Sequence, residues 1–241
     1  MIKLNEAQQK ILSLVMSVFF LGAMMLLSRE AADYAKEVSG SRVVVGRDSP
    51  CVVLDPGHGG FDPGKIGING ALEKDVNLQI ALLVKQYLEE NDIRVVLTRE
   101  EDAGLYDADA SNKKVQDMKR RIELIDETAP DITVSIHQNS YPEEYVNGAQ
   151  VFYYNGSKEG QQLAALVQEQ LVEKVAPENK RQIKPNDSYY MLKKTGVPIV
   201  IVECGFLSNS AEAEKLCSPQ YQERVAWAIH MGILQYLEQA E

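Results

Sequence analysis

Three short runs of β-branched and apolar residues predict buried strands, and each leads into a polar side chain. They cover residues 52–54, 131–136 and 198–202. The first run is followed by Asp55 and Pro56 and then by His58, whereas the second and third end directly at His137 and Glu203. Because Pro56 cannot continue a strand ladder and the glycines around His58 permit a tight turn, we expect a loop that presents the imidazole to a site.

Between these runs the apolar residues follow the 3.6-residue period of helices that bury one face. The stripes fall in residues 76–88, 115–125, 163–171 and 225–236. Two further strands are predicted over residues 93–98 and 149–154. Alternation of strand, helix and strand is typical of an α/β fold with right-handed crossovers. The globular domain is predicted to begin near residue 49.

The polar segments are less informative. Residues 99–114 either border a crevice at the ends of the strands or form a surface loop. Residues 176–187 contain two prolines and many polar residues, and we expect them to be irregular. Arg120 and Arg121 lie beside a helical stripe, where adjacent arginines usually form a solvated face. Residues 31–48 are predicted to be a linker, with room for one edge strand.

An apolar segment near the start of the chain bears on its location. Residues 11–27 are apolar except for Ser13, Ser17 and Gly22. This length falls between the apolar core of a signal peptide and a full membrane span, and no small-residue cleavage site follows promptly. We therefore predict an uncleaved signal anchor over residues 1–30, with a cleaved signal and secretion as the alternative. A buried core helix is disfavoured because the segment is apolar on every face.

Charge and cysteine content argue against two classes of protein. Of the 25 basic and 35 acidic residues, three and two lie in residues 1–30, which leaves a formal charge of −11 on the remainder. Nucleic acid is a poor partner for so acidic a surface. The chain has three cysteines, Cys51, Cys204 and Cys217. Their number is odd and no two have the spacing of metal ligands, so buried thiols are expected instead of a disulfide framework.

The polar residues that follow the strands are the candidates for chemistry. Functional groups of open α/β sheets collect beyond the carboxyl ends of the strands, so His58, His137 and Glu203 are expected to converge on one crevice. Glu73 falls at a predicted helix N-terminus, where it is either a first-turn acid favoured by the helix dipole or a ligand. His230 stands alone, one position off an apolar stripe, and we assign it no chemistry.

Two imidazoles and one carboxylate, with a fourth position open to water, are the ligands of many hydrolytic zinc sites. Such a site also needs a carboxylate that is not a ligand, and Glu203 fits the role of proton carrier. Strand-end histidines are as often structural groups, and the chain has no H-E-x-x-H helix. A serine nucleophile is disfavoured because no G-x-S-x-G turn is present. Cys204 is disfavoured because normal strand alternation points it away from Glu203.

Four segments carry a resemblance to a known family. They are LDPGHGG at residues 54–60, LEKD at 72–75, SIHQN at 135–139 and VECGFLSN at 202–209. In this order they resemble the signature blocks of the zinc-dependent N-acetylmuramoyl-L-alanine amidases of the amidase-3 type, over roughly residues 50–238. The resemblance implies a single twisted, mostly parallel sheet of about six strands flanked by helices, preceded here by the anchor helix. The catalytic domain would span residues 49–241.

The resemblance also implies roles for individual residues. The zinc ligands would be His58, Glu73 and His137. Glu203 would be the catalytic carboxylate, and Arg121 and Asn139 lie where many relatives have a supporting arginine and asparagine. Gln138 departs from the small or apolar residue that is usual at its position, which concerns loop packing more than mechanism.

The implied reaction is hydrolysis of the amide between N-acetylmuramic acid and the L-alanine of the stem peptide in peptidoglycan. One anchor and a compact domain without wall-binding repeats resemble the spore-cortex amidases, whose action allows muramic δ-lactam to form for later germination. The alternatives are a cell-separation or wall-turnover amidase, a zinc peptidase acting on stem peptides and a catalytically silent wall-binding module. A partner protein or the anchor would then supply targeting to the wall.

Overall fold

The computed structural model of the protein describes residues 49–240, and the predicted anchor and linker lie outside them. The strands of this part are β1 Cys51–Pro56, β2 Arg94–Leu97, β3 Ile132–Asn139, β4 Gln150–Tyr154, β5 Lys184–Asn186 and β6 Ile199–Phe206. The helices are α1 Glu73–Glu89, α2 Lys113–Thr128, α3 Lys158–Gln170, α4 Tyr190–Lys194, α5 Ser210–Leu216 and α6 Pro219–Ala240, and a π-helical turn, Leu171–Val175, follows α3 directly. None of these helices is long and apolar enough to cross a membrane.

The six strands form one sheet in the order β2-β1-β3-β6-β4-β5. The α/β fold and the six strands are confirmed, but the sheet is mixed, because β4 runs antiparallel to β6 and β5 runs parallel to β4. The reason lies in the connection from β3 to β4, residues 140–149, which contains no helix. A parallel return needs a crossover of about a dozen residues or more. The chain therefore turns back along the sheet at this point.

The helices cover both faces of the sheet, and the side chains of the central strands alternate between them. On one face, Val52, Val134 and Val202 belong to a large apolar core that includes residues of α1, α3 and α6. On the other face, Val53 and Ile201 pack with residues of α2 and α4. Burial on both faces explains why these strands read as continuous apolar runs. Each such buried side chain contributes on the order of 1.5–3 kcal/mol.

The positions of α1 and α2 decide where a crevice opens. α1 connects β1 to β2 across one face, and α2 connects β2 to β3 across the other, so successive strands are added first on one side of β1 and then on the other, where β3 lies parallel to it. In open α/β sheets ligands bind at such a reversal of strand order, outside the carboxyl ends of the strands. His58 follows β1 and His137 lies on β3, and both are therefore placed at this reversal.

Two expectations for the polar segments were wrong. Residues 176–187 contain the edge strand β5, whose Pro185 is tolerated because an edge strand needs hydrogen bonds on only one side. Arg121 is not solvated: its side chain is only 2% exposed, whereas that of its neighbour Arg120 is 39% exposed. In agreement with the sequence, Cys51 and Cys204 are buried free thiols, whereas Cys217 is an exposed free thiol.

Candidate active site and metal centre

The loop after β1 brings His58 close to His137. His58 has a φ of +64°, which few residues other than glycine adopt, and its carbonyl oxygen accepts a hydrogen bond from Arg121 Nη2 at 2.7 Å. The ring centroids of the two histidines lie 5.1 Å apart at 78°. A Cβ atom at residue 57 would overlap the His137 ring. Only glycine at this position lets the loop pass so close to the second imidazole.

Glu73, the first residue of α1, turns its carboxylate towards both imidazoles. Its Oε1 lies 3.2 Å from His58 Nε2 and 3.0 Å from His137 Nδ1. The backbone N–H of Gln138 donates to Oε1, and that of Lys65 donates to Oε2. Burial alone would raise the pKa of Glu73, but the hydrogen bonds and charges of the two histidines hold it well below its usual value. An acidic residue that only stabilised the helix dipole would not need to point its carboxylate at the two imidazoles.

Glu203 lies beside His137 on the neighbouring parallel strand, in register with it. The residue is 8% exposed, and within the described chain its Oε2 has no hydrogen-bond partner. Burial raises the pKa of Glu203 to about 7, and the carboxylate of Glu73 acts in the same direction. A carboxyl group that titrates near neutral pH can both accept and return a proton.

The structure therefore brings His58, Glu73, His137 and Glu203 together. The first three each offer one ligand atom, and these atoms all lie within 4.8 Å of one another. Two imidazole nitrogens and a carboxylate oxygen are suitable ligands for zinc and for several other divalent ions. The unpaired Glu203 oxygen beside them suits a site that handles water, so this donor set fits a hydrolytic metal centre.

Two buried arginines hold the backbone at the end of β1. Arg121 donates to Asp55 Oδ1 at 2.7 Å and to the carbonyl oxygen of Pro56 at 3.0 Å. Arg99 donates to the same carbonyl oxygen at 2.9 Å. The expectation of a solvated Arg121 failed because helical periodicity does not reveal the buried carboxylate opposite. Sequence reasoning missed Arg99 altogether, because its hydrogen-bond partners are backbone carbonyl oxygens, which leave no signal in the residue pattern.

A cavity of about 590 Å³ opens onto these residues. Tyr189 and Ile201 are among its lining residues, as are the cationic side chains of Lys65 and Lys114. Of residues 99–114, Lys114 alone is among the cavity-lining residues, and it already belongs to α2, so the segment before α2 does not line the cavity. Tyr189 was missed because α4, which it precedes, is too short to show a period. Burial, then the nearby carboxylates, raises the pKa of Tyr189 to about 12, which keeps its hydroxyl a hydrogen-bond donor.

The remaining candidates have supporting or separate positions. Asn139 lines the cavity, and its side chain accepts a hydrogen bond from the backbone N–H of Ser140. The Gln138 side chain donates to Asn77 Oδ1, and Asn77 in turn donates to the carbonyl oxygen of Gly57, so Gln138 does contribute to loop packing. His230 is buried on α6, where its ring contacts Asn91, Tyr87 and Trp227.

Comparisons with known proteins place the chain in a family. The family model for N-acetylmuramoyl-L-alanine amidases, Amidase_3, matches residues 52–235. The germination-specific N-acetylmuramoyl-L-alanine amidase of Bacillus subtilis is 35% identical over 90% of this chain and 92% of its own. The solved structure of the CwlD amidase from Clostridioides difficile in complex with the GerS lipoprotein is 38% identical, with a TM-score of 0.77 over 79% of this chain and 100% of that one.

A second solved structure, the N-acetylmuramoyl-L-alanine amidase from Clostridium difficile 630, is 32% identical, with a TM-score of 0.72 over 81% of this chain and 100% of that one. The family match covers most of residues 49–240, in which the four signature segments and the site lie. The chain belongs to the Amidase_3 family of N-acetylmuramoyl-L-alanine amidases.

Proposed function

We propose that this amidase uses zinc to hydrolyse the bond between N-acetylmuramic acid and L-alanine in spore-cortex peptidoglycan, with Glu203 as the catalytic carboxylate. The single observation that carries the proposal is the environment of Glu203. Its buried Oε2 lacks a partner in the described chain, and burial raises its pKa to about 7, beside three side chains that could hold a metal ion. A purely structural carboxylate would be hydrogen-bonded in this position.

In this proposal His58, Glu73 and His137 hold the zinc ion. The ion, when bound, lowers the pKa of a water molecule and polarises the amide carbonyl. The low pKa of Glu73 keeps its carboxylate ionised at neutral pH, as a ligand requires. Arg121 and Arg99 hold the carbonyl oxygens at the end of β1 and so limit movement of His58.

Glu203 carries the proton. Its ionised carboxylate accepts a proton from the attacking water as the oxygen bonds to the amide carbon. The protonated form then gives this proton to the leaving nitrogen of L-alanine as the carbon–nitrogen bond breaks. Burial raises the pKa of Glu203 in the metal-free chain, which makes its carboxylate a stronger base than an exposed glutamate. The ammonium groups of Lys65 and Lys114 in the cavity lining suit the carboxylates of a stem peptide.

The biological setting rests on the relatives. One is described as germination-specific, and the solved CwlD amidase is bound to a lipoprotein. We infer that this chain acts in spore germination by removing stem peptides from the cortex, and that an accessory protein assists it. Residues 1–30 would act as an export signal and membrane anchor, which places the catalytic domain on the side of the wall. Fractionation and N-terminal sequencing of the mature chain test this anchor.

The chemistry is tested by mass spectrometry of cortex-type peptidoglycan after treatment with the zinc-loaded full chain. The unmodified chain should release intact stem peptides with a free L-alanine N-terminus. Glu203→Gln should abolish release while retaining zinc, and Glu214→Gln, at an exposed position on α5, should behave as the unmodified chain. Cleavage within the peptide would establish the peptidase alternative. Binding to the wall without any cleavage would favour the silent wall-binding module.

The cortex role is tested separately in a spore former that lacks its own cortex amidase. Expression of the full chain should restore muramic δ-lactam in the cortex and restore germination, whereas Glu203→Gln should restore neither. If deletion of this chain from its own organism leaves the lactam content normal but impairs cell separation, the chain acts on the vegetative wall instead.

A further inference from the structure

The outer side of the His58 ring contacts a carboxylate that the proposed chemistry does not use. His58 Nδ1 lies 3.0 Å from Asp62 Oδ2, while Nε2 on the other side of the ring faces Glu73 Oε1 at 3.2 Å. An ionised carboxylate only accepts hydrogen bonds, so each contact, to Asp62 and to Glu73, suits a proton on the facing nitrogen. Because Glu73 and Nε2 belong to the cluster that could hold a metal and Asp62 does not, a bound metal would replace the proton on Nε2 and leave the one on Nδ1.

Asp62 is held firmly in place for this contact. Its backbone N–H and carbonyl form a two-way pair with Gly59, at 3.2 and 3.0 Å. Its Oδ1 accepts the backbone N–H of Gly64 at 3.1 Å, which leaves Oδ2 for His58. Lys114 Nζ also lies 3.1 Å from Oδ2 and gives that oxygen a second donor. Asp62 is therefore an oriented acceptor and not a freely moving surface acid.

We propose that Asp62 is a positioning residue that holds the proton of His58 on Nδ1 and thereby directs a bare Nε2 to the metal. The inference rests on the zinc site of the proposed function. The second histidine provides an internal contrast, since in His137 it is Nδ1 that faces Glu73. The two imidazoles should therefore bind the metal through different nitrogens, and within residues 49–240 only His58 has a carboxylate bonded to the nitrogen on its far side.

Substitution of Asp62 with asparagine should weaken metal binding by changing the tautomer of His58. The backbone N–H of Gly64 needs an oxygen acceptor, so the amide oxygen of Asp62→Asn would remain on Gly64. Its NH₂ group would then face His58 Nδ1 and favour the form with the proton on Nε2, which cannot bind a metal through that atom. Loss of a carboxylate that orients a ligating histidine typically costs about 10–100-fold in metal affinity.

The experiment uses the full chain labelled with ¹⁵N at histidine, of which the sequence has only three. In the zinc-loaded chain, long-range proton–nitrogen NMR spectra should show His58 protonated on Nδ1 and His137 protonated on Nε2. Competition with a chelator should show about 10–100-fold weaker zinc binding for Asp62→Asn. Asp62→Glu, which restores a carboxylate, should recover part of the affinity.

Asp102→Asn is the matched control. Asp102 also holds the loop, through the backbone N–H of Gly60 and Lys74 Nζ, but it makes no contact with an imidazole. This control should leave zinc affinity within about twofold of the unmodified chain, as expected for an exposed ion pair. Equal losses for Asp62→Asn and Asp102→Asn would show only general loosening of the loop and would overturn the proposal.

The unmodified chain supplies a test that does not depend on folding of a variant. A zinc-loaded spectrum with the metal on Nδ1 of His58 overturns the proposal, and so does a chain that binds no zinc, which would overturn the metal-dependent function as well. If the His58 spectrum and the affinities follow expectation but no amide is hydrolysed, only the proposed reaction fails.

Discussion

At the scale of single residues, two carboxyl groups in one site have opposite properties because their surroundings differ. Glu73 faces two imidazoles and two backbone N–H groups, and its pKa is lowered. Glu203 is similarly buried, but its Oε2 has no partner in the described chain, and its pKa is raised to about 7. Pairs of carboxyl groups with diverging pKa values commonly divide the roles of ligand or nucleophile and proton carrier.

The raised pKa of Glu203 has a consequence for stability. The protonated form is favoured in the folded chain, so its contribution to stability is present below the unfolded pKa and is lost as pH rises towards about 7. In the metal-free full chain, Glu203→Gln should therefore increase the free energy of unfolding by up to about 3 kcal/mol near pH 8 and change it little near pH 4. Urea titrations at both pH values measure this; an equal change at both would contradict it.

Gly57 is predicted to be intolerant of even one methyl group. Gly57→Ala would force the β1 loop or the His137 ring to move, because the new Cβ overlaps that ring. Displacements of about 1 Å at such sites reduce catalysis on the order of 100-fold, and zinc affinity should also fall. Gly196→Ala is the control, since the nearest atom to its new Cβ would be 3.9 Å away. Equal activity of the two variants would show that the loop accommodates the added methyl group, which would contradict the prediction.

At the scale of elements, the site depends on a contact between β1 and α2. Arg121 and Asp55 are each 2% exposed and form an ion pair at 2.7 Å. Burial opposes ionisation of Asp55, but Arg121, Ser135 and Thr98 lower its pKa to about 2. Because Arg121 also donates to the carbonyl oxygen of His58, the same side chain connects helix α2 to the loop that carries His58.

Removing one member of this pair should be costly. Arg121→Met leaves the Asp55 carboxylate buried without its cation, which typically costs about 3–5 kcal/mol. Arg120→Met, the adjacent residue on the same helix, removes only an exposed pair with Asp107 and should change stability little. Denaturant unfolding of both variants at neutral pH distinguishes them. The Asp55 contribution in the unmodified chain is present above about pH 4 and is lost as pH falls through about 2.

At the scale of the whole described domain, the site and the core are separate. The apolar core packs on both faces of the sheet, whereas the candidate metal ligands His58 and His137 lie at the carboxyl ends of β1 and β3. The core does not depend on the metal for its burial, so metal removal should weaken the domain without unfolding it. This differs from small zinc domains, which are unfolded without their metal.

Zinc should therefore stabilise the chain by mass action alone. At a free zinc concentration of about 100 times Kd, the free energy of unfolding should rise by about 2.7 kcal/mol over that in a chelator. His137→Ala should fold in the chelator as the unmodified chain does, but should lose most of the zinc-dependent increase. Circular dichroism during denaturant titration measures both. Unfolding of the unmodified chain by the chelator would show that the core needs the metal.

The sequence by itself determined the class of fold and the identity of the candidate site. Apolar runs bounded by proline and glycine identified the central strands, because their side chains are buried on both faces. The four signature segments named the amidase-3 family, which the family comparison confirmed. His58, His137 and Glu203 were singled out by their positions at the ends of strands. The assignment of Glu73 needed the resemblance, because a helix N-terminus favours an acidic residue for other reasons.

Only the tertiary structure decided what depends on contacts between residues distant in the chain. The antiparallel direction of β4 and the pairing of β5 at the sheet edge depend on the path of the chain across the sheet. The local pattern of apolar and polar residues does not reveal this path. Arg120 and Arg121 are adjacent arginines on one helix, and the sequence alone does not distinguish them. In the folded chain only Arg121 faces a buried carboxylate, Asp55, from another element. The raised pKa of Glu203 and the Asp62 contact with His58 likewise arise from burial and from distances of about 3 Å, which the assembled fold alone defines.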